Sequence, residues 1–443
     1  MTSTGPVPPI AAHSLLVFLL QCGLLLLLAH ALSRLATRCG LPSVVGELGV
    51  GVLLGPTVLR HVDPALSGWL LPRSAEQFHL LDAVGEFGVL LLVATTGMEL
   101  DLGLVRRRGR AALGISLIGL AVPLGLGILV GWHLPASFVG TGPGHRHVFA
   151  LFLGVALCVS AIPVIAKTLS DMNLLHRNVG QLTMAAGIID DVVGWVLLSF
   201  VSSVAAGGMR ASSVGHALMW LAVVVGAAGT VGQLAVRAAL DWAERAGGGG
   251  ATVAVAAGTV LLCAAATQAM SLEPVLGALV AGIMLRWGRT DGLARIAPLR
   301  TVTMGVLAPL FFATAGLRVD LTELVHPQVL CVALIVLTVA VLGKFAGAFL
   351  GARFGRLNRW EALAVGAGMN ARGVVEVVVA SVGLRLGILT TSSYTIVVLV
   401  AVVTSVMAPP ILRFATRAIE HTAEEGLRAR VAALARGEQT DVL

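Results

Sequence analysis

From residue 14 to residue 413 the chain is a succession of apolar runs, most of them about as long as a membrane is thick, parted by short charged loops. A helix needs about 20 apolar residues to cross the hydrocarbon core of a bilayer. Thirteen runs are candidates, at about 14–34, 41–59, 80–98, 111–131, 148–169, 181–204, 216–237, 250–270, 274–287, 301–317, 329–352, 361–385 and 391–413. The ninth is short, and is open to being tilted, broken or merged with its neighbour. Composition agrees: 57% of residues are hydrophobic and 12% charged, with a mean hydropathy of +0.93, where a soluble domain carries roughly 25% charged residues. So little polar surface cannot be solvated by water. The expected class is an all-α polytopic membrane protein, with the lipid bilayer as its surroundings.

The net charge of +7 does not signal nucleic acid, because the basic residues are scattered over short loops and form no basic domain. Five cysteines, Cys22, Cys39, Cys158, Cys263 and Cys331, show no CxxC spacing, and four lie inside apolar runs. They read as small buried hydrophobes, not as a disulfide framework or a metal site. No Lys or Arg precedes residue 14, so the first run lacks the basic flank of a signal peptide and reads as a retained span. Orientation follows from the other basic residues. Loops after odd-numbered spans and the C-terminal tail hold 22 Lys and Arg, whereas loops after even-numbered spans hold 6. That bias puts the N-terminus outside a cell membrane and the C-terminus in the cytoplasm. The tail after Arg413 reads as a solvated end that helps to set topology.

Two short patterns recur. Gly46–Leu54 in span 2 and Gly277–Leu285 in span 9 both read G-x-L-x-x-G-x-x-L. Ala94–Leu102 at the end of span 3 and Ala313–Leu321 at the end of span 10 both read A-T-x-G-x-x-x-D-L. Each pair is seven spans apart, in the same order. An odd offset makes the two copies cross the membrane in opposite senses, the signature of an inverted repeat, with span 7 as linker. Inverted repeats belong to alternating-access transporters, whose ion sites lie at the midplane on broken helices. The repeat nominates spans 5 and 6 and their mates, 12 and 13.

Charge inside the spans points to the same places. Span 6 carries Asp190 and Asp191 side by side, and each acid at a helix centre costs roughly 2.5–3.5 kcal/mol on the insertion scale. Neighbouring helical residues point about 100° apart, so one carboxylate can face water while the other faces a packed helix. A purely structural tether is the competing reading, but one tether needs only one acid. Lys344 in span 11 is the natural partner, flanked by Gly343, Gly347 and Gly351, whose spacing lets another helix come close. An Asp–Lys pair that can break is a proton-coupled switch. The alternative is a lysine that snorkels to the cytoplasmic face. In span 5, Pro163 removes a helical hydrogen bond and Ser160 adds a hydroxyl. The freed oxygens suit a dehydrated monovalent cation, although an ordinary proline kink is also open. In span 12, Gly366, Gly368 and Gly373 loosen the helix around Asn370. Arg372 and Glu376 stand at i,i+4 and are read as a structural pair, with Arg372 also placed to neutralise helix ends. Glu47 in span 2 either lines a funnel or sits at the interface. No P-loop, metal-ligand cluster or nucleophile–base constellation is present, so an enzyme is not expected.

Taken together, Gly46–Pro56, Ser160–Leu169, Asp190-Asp191, Pro309–Leu321 and Asn370–Glu376 resemble the monovalent cation:proton antiporter-2 family, which includes NapA-type sodium/proton antiporters and the membrane parts of Kef-type potassium systems. The resemblance runs from span 1 to span 13. It implies about 13 transmembrane helices in a NapA-like fold, an inverted repeat with two crossing broken helices. It implies a dimerising panel (14–104 and 250–325), a linker helix (216–237) and a six-helix core (111–204 and 329–413), with 1–13 external and 414–443 a cytoplasmic tail. By the same resemblance the chain is a homodimer, Asp191 carries the cation and the proton, Asp190 pairs with Lys344, and Ser160, Pro163, Asn370, Arg372 and Glu376 support the crossing. In the family the acid pair and this lysine go with electrogenic exchange, more protons than sodium ions moving per cycle. Ser160 stands where many members have Thr, and Glu47 where many have an aromatic residue. No nucleotide-binding regulatory domain follows span 13, so Kef-type gating is not expected. The expected function is monovalent cation/proton exchange by alternating access, Na⁺ favoured over K⁺, with no cofactor beyond the transported ions. A cation conductance, a proton-driven exporter of a larger organic ion and a non-transporting sensor remain as other readings of the same scaffold.

Overall fold

The computed structural model of the chain describes residues 10–39, 41–71, 75–99, 102–140, 145–172, 174–207, 211–245, 249–286, 292–420, 422 and 425. The segment up to residue 9, which the sequence reading puts outside, Asp101 in the first copy of the second repeat motif, three of the topology-setting arginines (Arg73, Arg210 and Arg289) and the tail from 426 onward lie outside them. Among the described residues the structure is helical, with one isolated β-bridge between Val139 and Leu389.

The helices used below are α1 (Ala12–Arg38), α2 (Ser43–Leu54), α3 (Ala75–Glu99), α4 (Leu102–His133), α5 (His145–Cys158), α6 (Ile162–Asp171), α7 (Asn178–Gly207), α8 (Ala211–Ala227), α9 (Gln233–Arg245), α10 (Gly249–Ala269), α11 (Pro274–Arg286), α12 (Gly292–Val302), α13 (Ala308–Gly316), α14 (Pro327–Phe354), α15 (Arg359–Met369), α16 (Val374–Arg385) and α17 (Thr391–Thr416). Ten stretches among the described residues are long and apolar enough to cross a membrane, and α15 with α16 makes a further pair bent by 44°. Span 5 is not a continuous helix; it is α5 and α6 with Val159–Ser160–Ala161 between them. Span 9 is the short helix α11, which starts at Pro274 after a tight turn with Ser271 at φ 59°.

By internal contact the chain divides into two units. One comprises residues 1–89 and 301–321, and its core joins Leu25, Ala29, Val50, Leu81, Leu310 and Ala313. Here α2 and α13 cross at backbone distance. A Cβ on Gly51 would lie 2.1 Å from the Ala313 carbonyl oxygen, and one on Gly316 would lie 2.2 Å from that of Leu48. Only glycine permits such an approach. Arg318 pairs with Asp82 at 2.5 Å in the same unit.

The other unit comprises 90–300 and 322–443, and so contains residues 250–300, which the sequence assigns to the panel. Within it α4 packs along α5, α7 and α14. The glycines flanking Lys344 make the contact with α4 close: a Cβ on Gly347 would lie 2.8 Å from the Ile118 carbonyl oxygen, and one on Gly351 2.7 Å from Ile115 Cα. The end of α3 crosses α11 as α13 crosses α2. A Cβ on Gly282 would lie 2.1 Å from the Ala94 carbonyl oxygen, and one on Gly97 2.6 Å from that of Leu279. These are the residues that the two repeat motifs place in register.

The start of the C-terminal tail departs from the solvated end read from the sequence. Glu425 is buried, accepts a hydrogen bond from the Asn178 amide at 2.6 Å and pairs with Arg177 at 3.1 Å. Arg177 also donates to the carbonyls of Ile419 and Glu420 at 2.9 and 3.1 Å. The physical reason is that α7 begins with amides that need an acceptor, and a carboxylate there also meets the positive end of the helix dipole.

Candidate functional site

Two broken helical spans meet at their breaks. Between α5 and α6 the chain is non-helical over 159–161, and between α15 and α16 over 370–373. The Ala161 amide donates to the Ala371 carbonyl at 3.3 Å, tying one break to the other. Ser160 Oγ lies 2.9 Å from the Met369 carbonyl at the end of α15 and 3.0 Å from Asp190 Oδ2; its single proton serves one of them at a time. Pro163 does not free a carbonyl within a continuous helix, as expected from the sequence. It is the second residue of α6, where its missing N–H would have no helical partner anyway. The freed polar groups belong to residues 159–161. Gly373 is required by space, since a Cβ there would lie 2.8 Å from Val164 Cγ2.

Each break leaves helix ends inside the protein, and charges sit on them. The C-terminal end of α5 is the negative end of a helix dipole. Lys344 Nζ donates to the Cys158 carbonyl at 2.5 Å, and Arg372 donates to the Leu157 carbonyl at 2.5 Å and the Ala340 carbonyl at 3.0 Å. At the positive end of α16, a carboxylate oxygen of Glu376 accepts from the Gly373 amide at 2.7 Å. The break changes the setting of the expected i,i+4 pair: Arg372 and Glu376 stay within electrostatic reach of each other, but not as neighbours on one continuous helix. Arg372 lies in the non-helical segment and Glu376 in the first turn beyond it, and each is engaged with backbone. The Arg372 carbonyl in turn accepts from Ser405 in α17.

Asp190 and Asp191 are both fully buried, yet their surroundings differ completely. Asp190 accepts from Ser116 at 2.5 Å, from Ser160 at 3.0 Å and from Lys344, with which it forms a fully buried ion pair. Neither oxygen of Asp191 makes a hydrogen bond of good geometry to a described residue, although the Ile162 amide at the start of α6 approaches it. Asp190, Glu376 and Lys344 are within electrostatic reach of it. The side-chain amide of Asn370, also fully buried, has neither its oxygen nor its nitrogen paired. The structure thus brings Asp190, Ser160 and Lys344 into one hydrogen-bonded cluster. Asn370, Arg372 and Glu376 lie at the second break.

Ser116, Leu157 and Cys158 had no signal as partners in the sequence. A serine in an apolar run is commonplace, and the other two act through backbone carbonyls that any residue would supply.

An acid pair with a buried lysine, set where two interrupted helices meet in an apolar helical protein, defines a membrane transporter. Residues 23–418 match the sodium/hydrogen exchanger transmembrane family. The chain belongs to that family, among the monovalent cation:proton antiporters, which are transporters and not enzymes. It is 29% identical over 409 residues to cation/H(+) antiporter 20 of Arabidopsis thaliana, covering 89% of this chain and 48% of that one. It is 26% identical over 404 residues to the Na(+)/H(+) antiporter NhaS4 of Synechocystis, covering 90% and 97%. It is 27% identical over 403 residues to the Na(+)/H(+)-K(+) antiporter GerN of Bacillus cereus, covering 90% and 96%. The chain spans about half the length of the Arabidopsis relatives it matches. The fold is that of the sodium proton antiporter MjNhaP1 from Methanocaldococcus jannaschii, with a TM-score of 0.65 over 91% of this chain and 97% of that one at 17% identity.

Proposed function

We propose that the chain exchanges a monovalent cation for protons across a membrane, with Asp191 as the group that binds both. The observation that carries this is the contrast within the acid pair. Asp190 has its charge matched by a lysine and two hydroxyls, whereas Asp191 has no side-chain donor among the described residues and only the approach of the Ile162 amide. A bare carboxylate charge in such a place is too costly to persist. It requires a cation, and a proton or a metal ion serves equally. The two compete for one carboxylate, which is the logic of antiport. Asn370 Oδ1 and the unpartnered Oε1 of Glu376 are further oxygens at the break, of the kind that replaces the hydration shell of Na⁺ or K⁺.

Sodium is the favoured cation, on the strength of the paired aspartates. The relatives carry names with Na(+)/H(+), K(+)/H(+) and both. Alternating access completes the reading, together with a homodimer formed through the panel at 14–104 and 250–325, the N-terminus outside and the C-terminus in the cytoplasm. Asp191→Asn preserves size and removes the charge. In proteoliposomes loaded with a pH-sensitive dye, wild type releases protons when Na⁺ or K⁺ is added, and Asp191→Asn falls to the protein-free background while melting at the wild-type temperature. Undiminished exchange in that variant would sink the proposal.

A further inference from the structure

Asp191 is one member of a row. On α7, Trp195, Ser199 and Ser202 follow it at spacings of four, four and three residues, within about 80° of one helix face and along about 16 Å of its length. All are buried, Trp195 at 2%, Ser199 at 0% and Ser202 at 5% exposure. The Trp195 indole N–H and both serine hydroxyls lack a hydrogen-bond partner among the described residues.

That is unusual for serine in a helix, because its hydroxyl ordinarily turns back to the carbonyl three or four residues earlier. This chain follows that habit elsewhere: Thr183 donates to the Val179 carbonyl, Thr404 to Val400 and Ser405 to Ala401, each at 2.8 Å. Ser199 and Ser202 do not. Buried polar groups are otherwise paired, so a line of three that are not points to a shared partner outside the protein. The indole N–H can only donate, whereas the hydroxyls can donate and accept. Water serves both needs, and so does a hydrated cation whose waters turn to match.

The row runs one way only. Toward Asn178 the same face presents Ile188, Gly187 and Met184, and a Cβ on Gly187 would lie 3.2 Å from Ile165 Cδ1. Immediately beside Asp191 on that side, Ile162 and Ile165 of α6 pack against Gly187.

We propose that Trp195, Ser199 and Ser202 line a hydrated conduit through which protons and hydrated monovalent cations reach Asp191 from the Gly207 end of α7. This rests on Asp191 being the exchange site, and it adds which wall of the protein leads there. On the orientation read from the basic residues, the Gly207 end is the outer one.

The test reads water access directly, without reference to transport. Ser199→Cys and Ser202→Cys, made singly after replacing the five native cysteines, are exposed to a membrane-impermeant cationic methanethiosulfonate in right-side-out and inverted vesicles, and labelling is followed by mass spectrometry. Val201→Cys and Val204→Cys, equally buried on another face of α7, are the packed controls. A thiol reacts as the hydrated thiolate, so the conduit positions should label at least about tenfold faster than the controls, and from the Gly207 side. Equal rates for all four positions, or labelling only from the Asn178 side, overturns the proposal. Fast labelling in a protein that moves no protons would leave the conduit standing and remove the antiporter reading, so the two fail separately. As a second arm, Ser199→Ala should slow proton release without changing the cation concentration that half-saturates it. A shift in half-saturation at unchanged maximal rate would place Ser199 in the binding site and overturn its role as conduit wall.

Discussion

Lys344 is one of three donors converging on the two oxygens of Asp190, and it is the only charged one. Its loss leaves a buried carboxylate held by two hydroxyls, and breaking such a pair from one side costs on the order of 3–5 kcal/mol when the remaining charge persists. That charge can instead be neutralised by a proton, so the variant has a way to fold that the wild type does not need. The expected outcome for Lys344→Gln is a folded protein with a lowered melting temperature, in which imposing a membrane potential changes the exchange rate far less than in wild type. A voltage response equal to wild type would remove Lys344 from the coupling and leave it a structural role. Asp190, Asp191 and Lys344 were legible in the sequence because charge inside an apolar run stands out against everything around it. Their division of labour came only through the family resemblance, which paired Asp190 with Lys344 as the structure does. Which of two adjacent acids receives Ser116 depends on the packing of α4 against α7, and no spacing within span 6 encodes that. The i,i+4 placement of Arg372 and Glu376 found two electrostatic partners but not their setting, since such a pair presumes a helix running through both, and the helix is interrupted at 370–373.

At the scale of the element, the ends matter more than the middles. Helix α7 carries the acid pair, and its N-terminus is held by residues that follow it by more than two hundred positions. Burial works against ionisation of Glu425, but the Asn178 and Thr422 amides and Arg177 outweigh it and hold this carboxyl below the usual carboxylate range. A group whose folded value is depressed contributes its stability fully above the unfolded value of about 4.3, and loses it as pH falls through the folded value. The contact should therefore be insensitive to pH across the neutral range. Hydrogen-exchange protection of the Asn178 amide is expected to stay constant from about pH 8 to pH 5 and to fall only below about pH 4, and Arg177→Ala should lower it at every pH above that. A loss centred near neutrality would mean that a different group controls the contact. The sequence could not announce this, since a charged tail of some 30 residues looks the same whether or not one of its carboxylates caps a helix. Span-length apolar helices, by contrast, are written into composition alone. What composition does not carry is where a span is cut: Pro163 marked the vicinity of the first break, and only the backbone shows that helix α5 stops at Cys158, five residues before it.

The whole molecule shows why the two repeat motifs had to recur together. Under a two-fold relation between the halves of the chain, a contact of residue i with j′ implies one of i′ with j. The first motif places Gly51 level with Gly282 and Leu48 with Leu279, and the second places Ala94 level with Ala313 and Gly97 with Gly316. The contact of Gly51 with Ala313 then requires one of Gly282 with Ala94, and both are present with the same 2.1 Å approach to a carbonyl oxygen. The contact of Gly316 with Leu48 requires one of Gly97 with Leu279, which is also present. Each motif of one half therefore packs on the other motif of the opposite half. The recurrence was visible in the sequence, but this exchange was not, because a pattern repeated in two places does not say which copy touches which. The glycines are kept small by a neighbour six or eight spans away. An added methyl at Gly51 or Gly282 must push two helix backbones apart, a strain of about 1–3 kcal/mol by the cost of overpacking. It acts at a joint made of backbone, which cannot yield by changing a rotamer. Gly226 in α8 supplies the contrast, since a Cβ there meets nothing within 4 Å, and in a helix alanine is favoured over glycine. Gly51→Ala and Gly282→Ala are each expected to lower the melting temperature in detergent, by similar amounts, while Gly226→Ala leaves it unchanged or raises it. Matching losses at the two motif positions would give the halves of the chain equivalent joints. A protein that tolerated Gly282→Ala as readily as Gly226→Ala would show that the recurrence is a coincidence of apolar sequence.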